Sequence, residues 1–414
     1  MNILKLVHTL WHAHKRPHGS CRMSSASFGN FIHIFPEHKG LHYTFQLVSM
    51  GMLCCFSVLS CVFAVASTTT LADTDYGGVP LWIDCLLGEP SVMSLRGRLD
   101  ARWYRANNPQ ACPHQCDCPI QWPTAVYCDD RGLAGVPEPL PPSTQYLFLQ
   151  SNNISSLTAS FLAKITGLNW LILDHNRLKS DWLDQGILQN QTQLAYLFAN
   201  HNHLSSIPNN LPSGLKQLRL AYNQISSIGS KVLKNLPNLT LLLLQGNILK
   251  TIKEGELGGL LSLNLLDLSG NSFSSVPRHL PISVQQLYLS NNSFAGIDEN
   301  TFVGLLNLKY LRLSQCYLQS RKVHSQAFNL SSLVELDLSY NKFTRIPTVP
   351  ITLQHLYLEA NEIQEFNVTS FCREVGPLTY SRLKILRLDG NKISYRHLPS
   401  DWILCLRVIQ SIYI

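Results

Sequence analysis

An eleven-residue pattern repeats along most of the chain after residue 145 and limits what the sequence can fold into. Its frame is L-x-x-L-x-L-x-x-N-x-L, as in LNWLILDHNRL at 168–178 and LKILRLDGNKI at 383–393. Eight further copies lie between these two, a degenerate copy covers 146–154, and ILCLRVIQSIYI offers a closing strand. Copies in register at this density indicate a solenoid of stacked units, because each unit needs a neighbour to cover its apolar face.

The spacing of the asparagine positions describes the outer side of the solenoid. Successive asparagine positions are 20 to 30 residues apart, every third spacing is short, and positions 223, 292 and 361 are each separated by 69 residues. Proline marks the segments that lead into these short repeats, IPNNLPSGL, VPRHLPISV and IPTVPITL. Proline fixes φ and favours extended backbone. We therefore expect extended, turn-like or 3-10 outer segments without room for full helices.

The alternation within each copy predicts a parallel sheet. In x-L-x-L-x the leucines point into the core and the intervening residues point outward, because side chains alternate along a strand. The asparagine amide can both donate to and accept from backbone groups of the turn that follows. The pattern is that of a leucine-rich repeat solenoid of the α/β class, a horseshoe with the sheet on its concave face.

Cys316 occupies the asparagine position of the eighth repeat, in LKYLRLSQCYL at 308–318. Cysteine is a recognised occupant of that position, and a small buried thiol is compatible with the space. We interpret Cys316 as a structural thiol rather than a nucleophile; an unusual disulfide is the alternative.

The chain is divided into four parts by composition. Residues 1–66 are interpreted as a leader, because the uncharged run 47–66 ends in small residues typical of a signal cleavage site; a membrane-spanning signal anchor is the alternative. We predict a flexible tail at 67–111, a cysteine-rich cap at 112–145 and the repeat array with its terminal cap at 146–414. A mature chain beginning near Ser67 is expected to be secreted, without stable membrane insertion.

The cysteines outside the leader flank the array. The cluster CPHQCDCPIQWPTAVYCDD could bind zinc in a reducing compartment, whereas in a secreted chain it predicts a disulfide knot with three possible pairings. Near the other end, one bridge could join a long loop to the terminus. Cys85 is left without a partner. The paired positions are Cys112, Cys116, Cys118, Cys128, Cys372 and Cys405.

Six N-glycosylation sequons support secretion. Each is an asparagine followed by any residue and then serine or threonine. They are Asn153, Asn190, Asn238, Asn291, Asn329 and Asn367.

Composition and motifs narrow the function class. Charged residues are only 14% and hydrophobic residues 45% of the chain, which argues against disorder. The net charge of +7 is dispersed, with no basic run of the kind that binds nucleic acid. No pattern typical of a catalytic site, a cofactor or a metal stands out, and we expect a binding protein rather than an enzyme, with no cofactor.

Several stretches carry a family resemblance that covers roughly residues 110 to 414. The Cys-x3-Cys-x-Cys-x9-Cys cluster, the QWPTAVYCD that closes it, the alternation of short and long repeats and the extended penultimate repeat resemble the small leucine-rich proteoglycans of extracellular matrix. Within that family the chain is similar to the keratan-sulfate class, and SFCREVGPLTYSRLKILRLDGN is part of this similarity.

The resemblance implies a disulfide pattern and a function. By the family pattern, Cys112 would pair with Cys118, Cys116 with Cys128, and Cys372 with Cys405. The protein would bind fibrillar collagen of type I kind, regulate fibril diameter and spacing, and carry N-linked keratan sulfate on some sequons. The sulfated tyrosine-rich tail of the family is represented here only by Tyr76, in Asp-Thr-Asp-Tyr.

The outward positions of the predicted sheet are the candidate binding surface. Mixed charge interleaved with tyrosine suits a long, polar, regularly charged ligand such as a collagen triple helix, although any single residue could simply solvate the sheet. Other matrix proteins, growth factors and cell-surface receptors are further partners to consider. A recognition receptor built on the same horseshoe is the alternative function. The candidate contacts are Asp267, Tyr288, Arg312, Glu335, Asp337 and Arg387.

Overall fold

The computed structural model describes residues 112–120, 122–157, 162, 164–183, 187–229, 231–374, 376 and 379–414. The predicted leader and tail, including Tyr76 and Cys85, lie outside these residues. The predictions of a signal peptide and of a sulfation site therefore stay predictions.

Thirteen short strands form one parallel sheet whose spatial order is the order of the chain. Each strand pairs with the next in register, so that Leu242 of one strand lies beside Leu266 of the following strand. This sequential pairing confirms the predicted solenoid. The strands are β1 (Ala125–Tyr127), β2 (Tyr146–Phe148), β3 (Trp170–Ile172), β4 (Tyr196–Phe198), β5 (Gln217–Arg219), β6 (Leu241–Leu243), β7 (Leu265–Asp267), β8 (Gln286–Tyr288), β9 (Tyr310–Arg312), β10 (Glu335–Asp337), β11 (His355–Tyr357), β12 (Ile385–Arg387) and β13 (Ser411–Tyr413).

The core is a continuous column of leucines under the sheet. The central leucine of each strand from β2 to β12 is buried, and so is the residue two positions later, which is a leucine in every repeat except that of β4, where it is Ala199; Leu266 and Leu268 in the repeat of β7 are an example. Phenylalanines from the outer segments, such as Phe302 and Phe328, fill the space behind them. Burying one such side chain stabilises the folded state by ~1.5–3 kcal/mol, and every repeat of the array adds contributions of this kind.

The turn after each strand explains the asparagine of the frame. Asn223 donates its Nδ2 to the carbonyls of Leu220, Ala221 and Ala199 at 3.0–3.1 Å, and its Oδ1 accepts the N–H of Leu204. The amide therefore pairs buried backbone groups of two neighbouring repeats at once. The residue before the asparagine has a left-handed backbone in all eleven repeats, from Ser151 (φ 58°) to Gly390 (φ 74°).

The outer segments are short and irregular, as the prolines predict. Helical residues are limited, within the described part of the chain, to α1 (Ser180–Leu183), α2 (Trp402–Cys405) and three 3-10 turns at Ser320–Lys322, Val368–Ser370 and Tyr395–His397; Leu162 also has a helical backbone. Isolated parallel bridges such as Ile297 with Val323 join some neighbouring outer segments. Strands need less width than these segments, which is why such a stack curves.

Atypical units close both ends of the column. At the start, Cys112 is bonded to Cys118 and Cys116 to Cys128. The cap also adds β1, a strand that the sequence reading did not anticipate, because AVY lacks the leucine frame. At the end, a disulfide joins Cys372 to Cys405, and ILCLRVIQSIYI supplies β13 as expected for a closing strand.

Candidate binding face

The concave surface is formed by the first and third residue of each strand, whose side chains point away from the leucine core. Three zones follow one another along it. The aromatic zone consists of Trp122, Tyr127, Tyr146, Phe148, Trp170, Tyr196 and Phe198. The aliphatic zone consists of Leu241, Leu243 and Leu265, with Tyr288 and Tyr310 packed against them. The charged zone consists of Asp267, Arg312, Glu335, Asp337, His355, Glu359, Arg387 and Asp389.

Rings in the aromatic zone stack from strand to strand. The ring centroids of Trp170 and Tyr196 are 4.2 Å apart, and those of Tyr127 and Phe148 are 4.4 Å apart with nearly parallel planes. At the border of the zone the Arg219 guanidinium lies 4.1 Å above the Phe198 ring. Each aromatic pair contributes ~0.5–1.5 kcal/mol beyond its burial, so this end of the sheet is held by its own outward side chains.

Arg312 is the centre of the charged zone. Its Nε and Nη2 donate to Glu335 Oε1 at 3.2 and 3.1 Å, and its guanidinium lies 4.7 Å from the Tyr288 ring centroid. His355 Nδ1 lies 3.8 Å from the other Glu335 oxygen. Burial alone would raise the pKa of Glu335, but His355 and Arg312 together hold that pKa below its usual value. Glu335 therefore stays ionised between two basic groups.

A second ionic group is centred on Arg387 in β12, two strands after Glu335. Arg387 donates to Asp389 through Nε at 3.0 Å and through Nη2 at 2.7 Å, a two-point contact, and its Nη1 is 3.7 Å from Glu359 Oε1. The side chains of Arg387 and Asp389 are 38% and 40% exposed. This pair is thus the most accessible ion pair of the charged zone.

Two acids of the charged zone, the buried Asp267 and the half-buried Asp337, have no basic partner in direct contact. Asp267 Oδ1 accepts the Ser269 N–H at 2.9 Å, while no described residue hydrogen-bonds to the buried Oδ2. Burial raises the pKa of Asp267 to about 7 despite these hydrogen bonds and the Arg312 charge. Asp337 accepts the N–H and hydroxyl of Ser339 at 2.9 and 2.6 Å, and burial raises its pKa too.

The alternative interpretation, in which a single outward residue simply solvates the sheet, is wrong for several of these residues. Asp267 is only 1% exposed, and Tyr288 and Glu335 are also buried. Side chains on a concave sheet converge, so that each lies flat and is covered by those of the next strand. The structure brings Tyr288, Arg312, Glu335 and Asp337 together in one contiguous group, whereas Arg387 belongs to the separate, more open pair.

One member of the charged zone was missed by the sequence reading. His355 occupies the first outward position of β11 and approaches Glu335, but it does not stand out within LQHLYLEANEI. The period-two alternation of the strand places it on the same face as Tyr357, and that signal was sufficient to find it.

Cys316 is buried, and within the described part of the chain it is the free cysteine. Its sulfur lies 3.3 Å from the carbonyls of Leu289 and Ser314, the groups that an asparagine amide would bind at this position. Burial raises the pKa of the thiol to about 12, which keeps it in the unreactive protonated form.

The sequon asparagines lie away from the concave sheet. Asn329 is half-buried and donates to Gln326 Oε1 at 3.0 Å, while the other five are exposed. Two of them make backbone contacts: Asn238 donates to the Ser213 carbonyl, and Asn367 accepts the Thr369 N–H. Five of the six side chains are therefore accessible for glycan attachment in the folded chain.

The described residues contain no group of three or more histidine, cysteine, aspartate or glutamate residues arranged to hold a metal ion. None of their helices has the length and apolar character needed to cross a membrane.

The chain matches family models for repeats and cap. The leucine rich repeat model matches residues 213–273 and 282–341, a second leucine rich repeat model matches 332–351, and the leucine rich repeat N-terminal domain model matches 111–141. Among solved structures, the chain resembles a chain of an octameric complex of Latrophilin 3, Unc5D and FLRT2 with a TM-score of 0.56 and 26% identity, covering 73% of this chain and 83% of that one.

Curated relatives align over most of their own length. The chain is 42% identical to lumican of Rattus norvegicus over 330 residues, which is 78% of this chain and 97% of the relative. It is 44% identical to lumican of Mus musculus over 73% of this chain and 88% of the relative, and 42% identical to fibromodulin of Bos taurus over 74% and 81%. With its capped array of leucine-rich repeats, the chain therefore belongs to the small leucine-rich proteoglycan family of the extracellular matrix, together with lumican and fibromodulin.

Proposed function

We propose that this protein is a secreted matrix proteoglycan that binds fibrillar collagen of type I kind through its concave face and limits the lateral growth of fibrils. The observation that carries the proposal is the charged zone. Five carboxylates and two arginines occupy outward or adjacent positions of β7–β12, fixed by ion pairs and by burial.

A collagen triple helix is a rigid rod with charged side chains at regular intervals. A partner for it needs charges that are also fixed, because ordering mobile side chains on binding reduces affinity. Neighbouring strands are ~4.8 Å apart and hold their side chains in rows. The Arg312–Glu335 contact and the Arg387–Asp389 contact immobilise their members before any ligand arrives.

Accessibility separates direct contacts from supporting residues. Arg387 and Asp389 are exposed enough to meet a ligand, and Arg312 keeps a side-chain exposure of 18%. Asp267 and Glu335 are buried; Glu335 holds Arg312 through its ion pair, and Asp267 lies beside Tyr288 in the adjacent strand. We therefore assign the first collagen contact to the Arg387 pair and a supporting role to Asp267.

The test is co-sedimentation of the secreted chain with reconstituted type I collagen fibrils. We expect Arg387→Glu to weaken binding at least fivefold, which corresponds to about 1 kcal/mol. Lys231→Glu, a charge reversal of an exposed lysine on the outer side, is the matched control and should bind normally. Equal binding by both folded variants would place the collagen site elsewhere.

A second measurement addresses fibril growth separately from binding. Collagen assembled with the wild-type protein should give thinner fibrils in electron micrographs than collagen alone. Collagen assembled with Arg387→Glu should give fibrils of the control diameter. Normal binding without any change in diameter would contradict the growth-limiting role.

A further inference from the structure

An open groove lies among the segments that lead into β5, β6 and β7. Its volume is about 720 Å³, within the ~300–1,000 Å³ that is typical of small-ligand sites. We call it the glycine groove, because glycines form much of one wall. It is bounded by Ser213 before β5, by Lys234 and Pro237 before β6, and by Gly255, Gly258 and Leu261 before β7.

Glycine keeps the groove open on the side of β7. Lys234, Gly258 and Val303 each lie eight residues before the central leucine of their strand, and Val303 is 69% exposed. A side chain at this position therefore projects outward, whereas Gly258 leaves the space empty. A Cβ added at the next residue, Gly259, would collide with the Lys234 carbonyl. Glycine at that position thus also allows the segments before β6 and β7 to pack closely.

The lining of the groove combines apolar and polar groups. Pro237 and Leu261 hold equivalent positions, five residues before the central leucines of β6 and β7, and Leu261 is 72% exposed. Lys234, Asn235 and Glu254 add exposed charged and amide side chains. A pyranose ring has an apolar C–H face and a rim of hydroxyl groups. It therefore matches this lining better than a fully apolar molecule, which would leave the polar groups without partners.

A glycosylation sequon begins at the groove. Asn238 directly follows Pro237, and its Nδ2 donates to the carbonyl of the lining residue Ser213 at 3.2 Å. N-linked glycosylation attaches N-acetylglucosamine to that same nitrogen. The glycosylated nitrogen keeps one hydrogen, which is sufficient for the hydrogen bond to Ser213. The first sugar is then attached to an atom that is held against the groove.

We propose that the glycine groove binds the N-acetylglucosamine residues at the attached end of the glycan on Asn238. The covalent link confines the sugar to the vicinity of the groove, so weak contacts are sufficient to hold it there. The bound sugars bridge the segments before three successive strands, while the outer sugars stay free. The inference rests on glycosylation of Asn238 and is independent of the collagen site.

Asn291 provides a comparison within the same chain. It is an exposed sequon asparagine in the turn after β8, and it does not line the glycine groove. Because both glycans would be carried by one folded protein, a difference in their accessibility reflects their surroundings.

Enzymatic removal of the glycans from the native secreted protein tests the proposal. Peptide N-glycosidase must reach the bond between asparagine and the first sugar, and glycopeptide mass spectrometry follows each site separately. We expect cleavage at Asn238 to be roughly fivefold slower than at Asn291, since only glycans outside the groove are accessible. The two rates should become similar after denaturation. Similar rates in the native protein, or an Asn238 that carries no glycan, would overturn the proposal.

Two variants separate binding in the groove from other causes of slow cleavage. Gly258→Trp fills the groove, and Leu261→Ser removes an apolar side chain from its wall; in each variant cleavage at Asn238 should approach the rate at Asn291. Leu261 is exposed, so its variant keeps the test decisive if Gly258→Trp fails to fold. Leu306→Ser is the matched control, because Leu306 holds the same position before β9, is 80% exposed and should leave both rates unchanged. Cleavage at Asn238 that stays slow in folded Leu261→Ser would show that the protection does not come from the groove.

Discussion

Cys316→Asn is the most direct test of how the repeats are held together. In the neighbouring repeats, Asn292 and Asn341 each donate to three carbonyls. From the preceding repeat, Asn292 accepts the Phe273 N–H, and Asn341 accepts the N–H groups of Cys316 and Leu318. A thiol has one hydrogen, so Cys316 can donate to the Leu289 carbonyl or to the Ser314 carbonyl at any moment, not to both. The substitution to asparagine would restore the full set of hydrogen bonds made by the other asparagine positions.

The missing acceptor can be identified. In the regular array the side chain at position 316 accepts the N–H of Phe294, as Asn292 does for Phe273 and Asn341 for Leu318. No described residue provides an oxygen for the Phe294 N–H, although Phe294 is buried. A buried hydrogen bond that is made contributes ~1 kcal/mol net.

We therefore expect Cys316→Asn to stabilise the fold by about 1 kcal/mol. That corresponds to a melting temperature higher by about 2 °C for a domain of this size. Unfolding of repeat arrays can depart from two-state behaviour, so the local measurement is hydrogen exchange at the Phe294 amide, which should slow in the variant.

Two outcomes would refute this reasoning. One is a Cys316→Asn variant that is destabilised by 1 kcal/mol or more. The other is a more stable variant whose Phe294 amide exchanges at the wild-type rate, because the gain would then have another source. Cys316→Ala, which removes the thiol without adding an acceptor, is the control and should be mildly destabilised.

Three shorter predictions concern other buried groups. Burial raises the pKa of Asp267 from 3.8 to about 7, so between these two pH values the folded state binds a proton that the unfolded state does not. As the pH rises from 4 to 7, the stability of the wild type should therefore fall relative to that of Asp267→Asn, as measured by thermal melts. The double variant Cys372→Ser/Cys405→Ser should lose ~2–4 kcal/mol in denaturant titrations, because the bridge closes a 33-residue separation. Asn223→Asp should cost at least ~3 kcal/mol by the same measurement, since it buries a charge against three carbonyls.

The array could be predicted from the sequence because one local rule fixes each repeat. Leucine at alternating positions sets the inner face, and asparagine is needed after the strand because its side chain serves both repeats of a pair. These rules involve neighbours at a constant separation, so a periodic pattern is enough to identify them. The cap strand β1 broke the pattern and was missed.

The sequence was sufficient to locate the concave face, but not to predict how exposed each of its side chains is. Alternation correctly placed Asp267 and Arg312 on the outward side of their strands. Their exposure depends on how far each side chain bends over the next strand, which is a property of curvature and of the neighbour's size. Leu243, Asp267 and Tyr288 cover one another because they occupy the same column of adjacent strands.

The burial of Asp267 changes what a charged concave face can do. An exposed acid would exchange its water for a ligand and contribute only weakly. A buried acid has already lost its water in the folded state, and Asp267 lies beside Tyr288, whose ring packs against the Arg312 guanidinium. The charged zone is thus organised before binding, and a regularly charged rod that fits it loses less entropy on docking than it would on a mobile surface. Neutralising Asp267 should therefore stabilise the fold while it lowers affinity for collagen, a combination that a merely solvated acid would not produce.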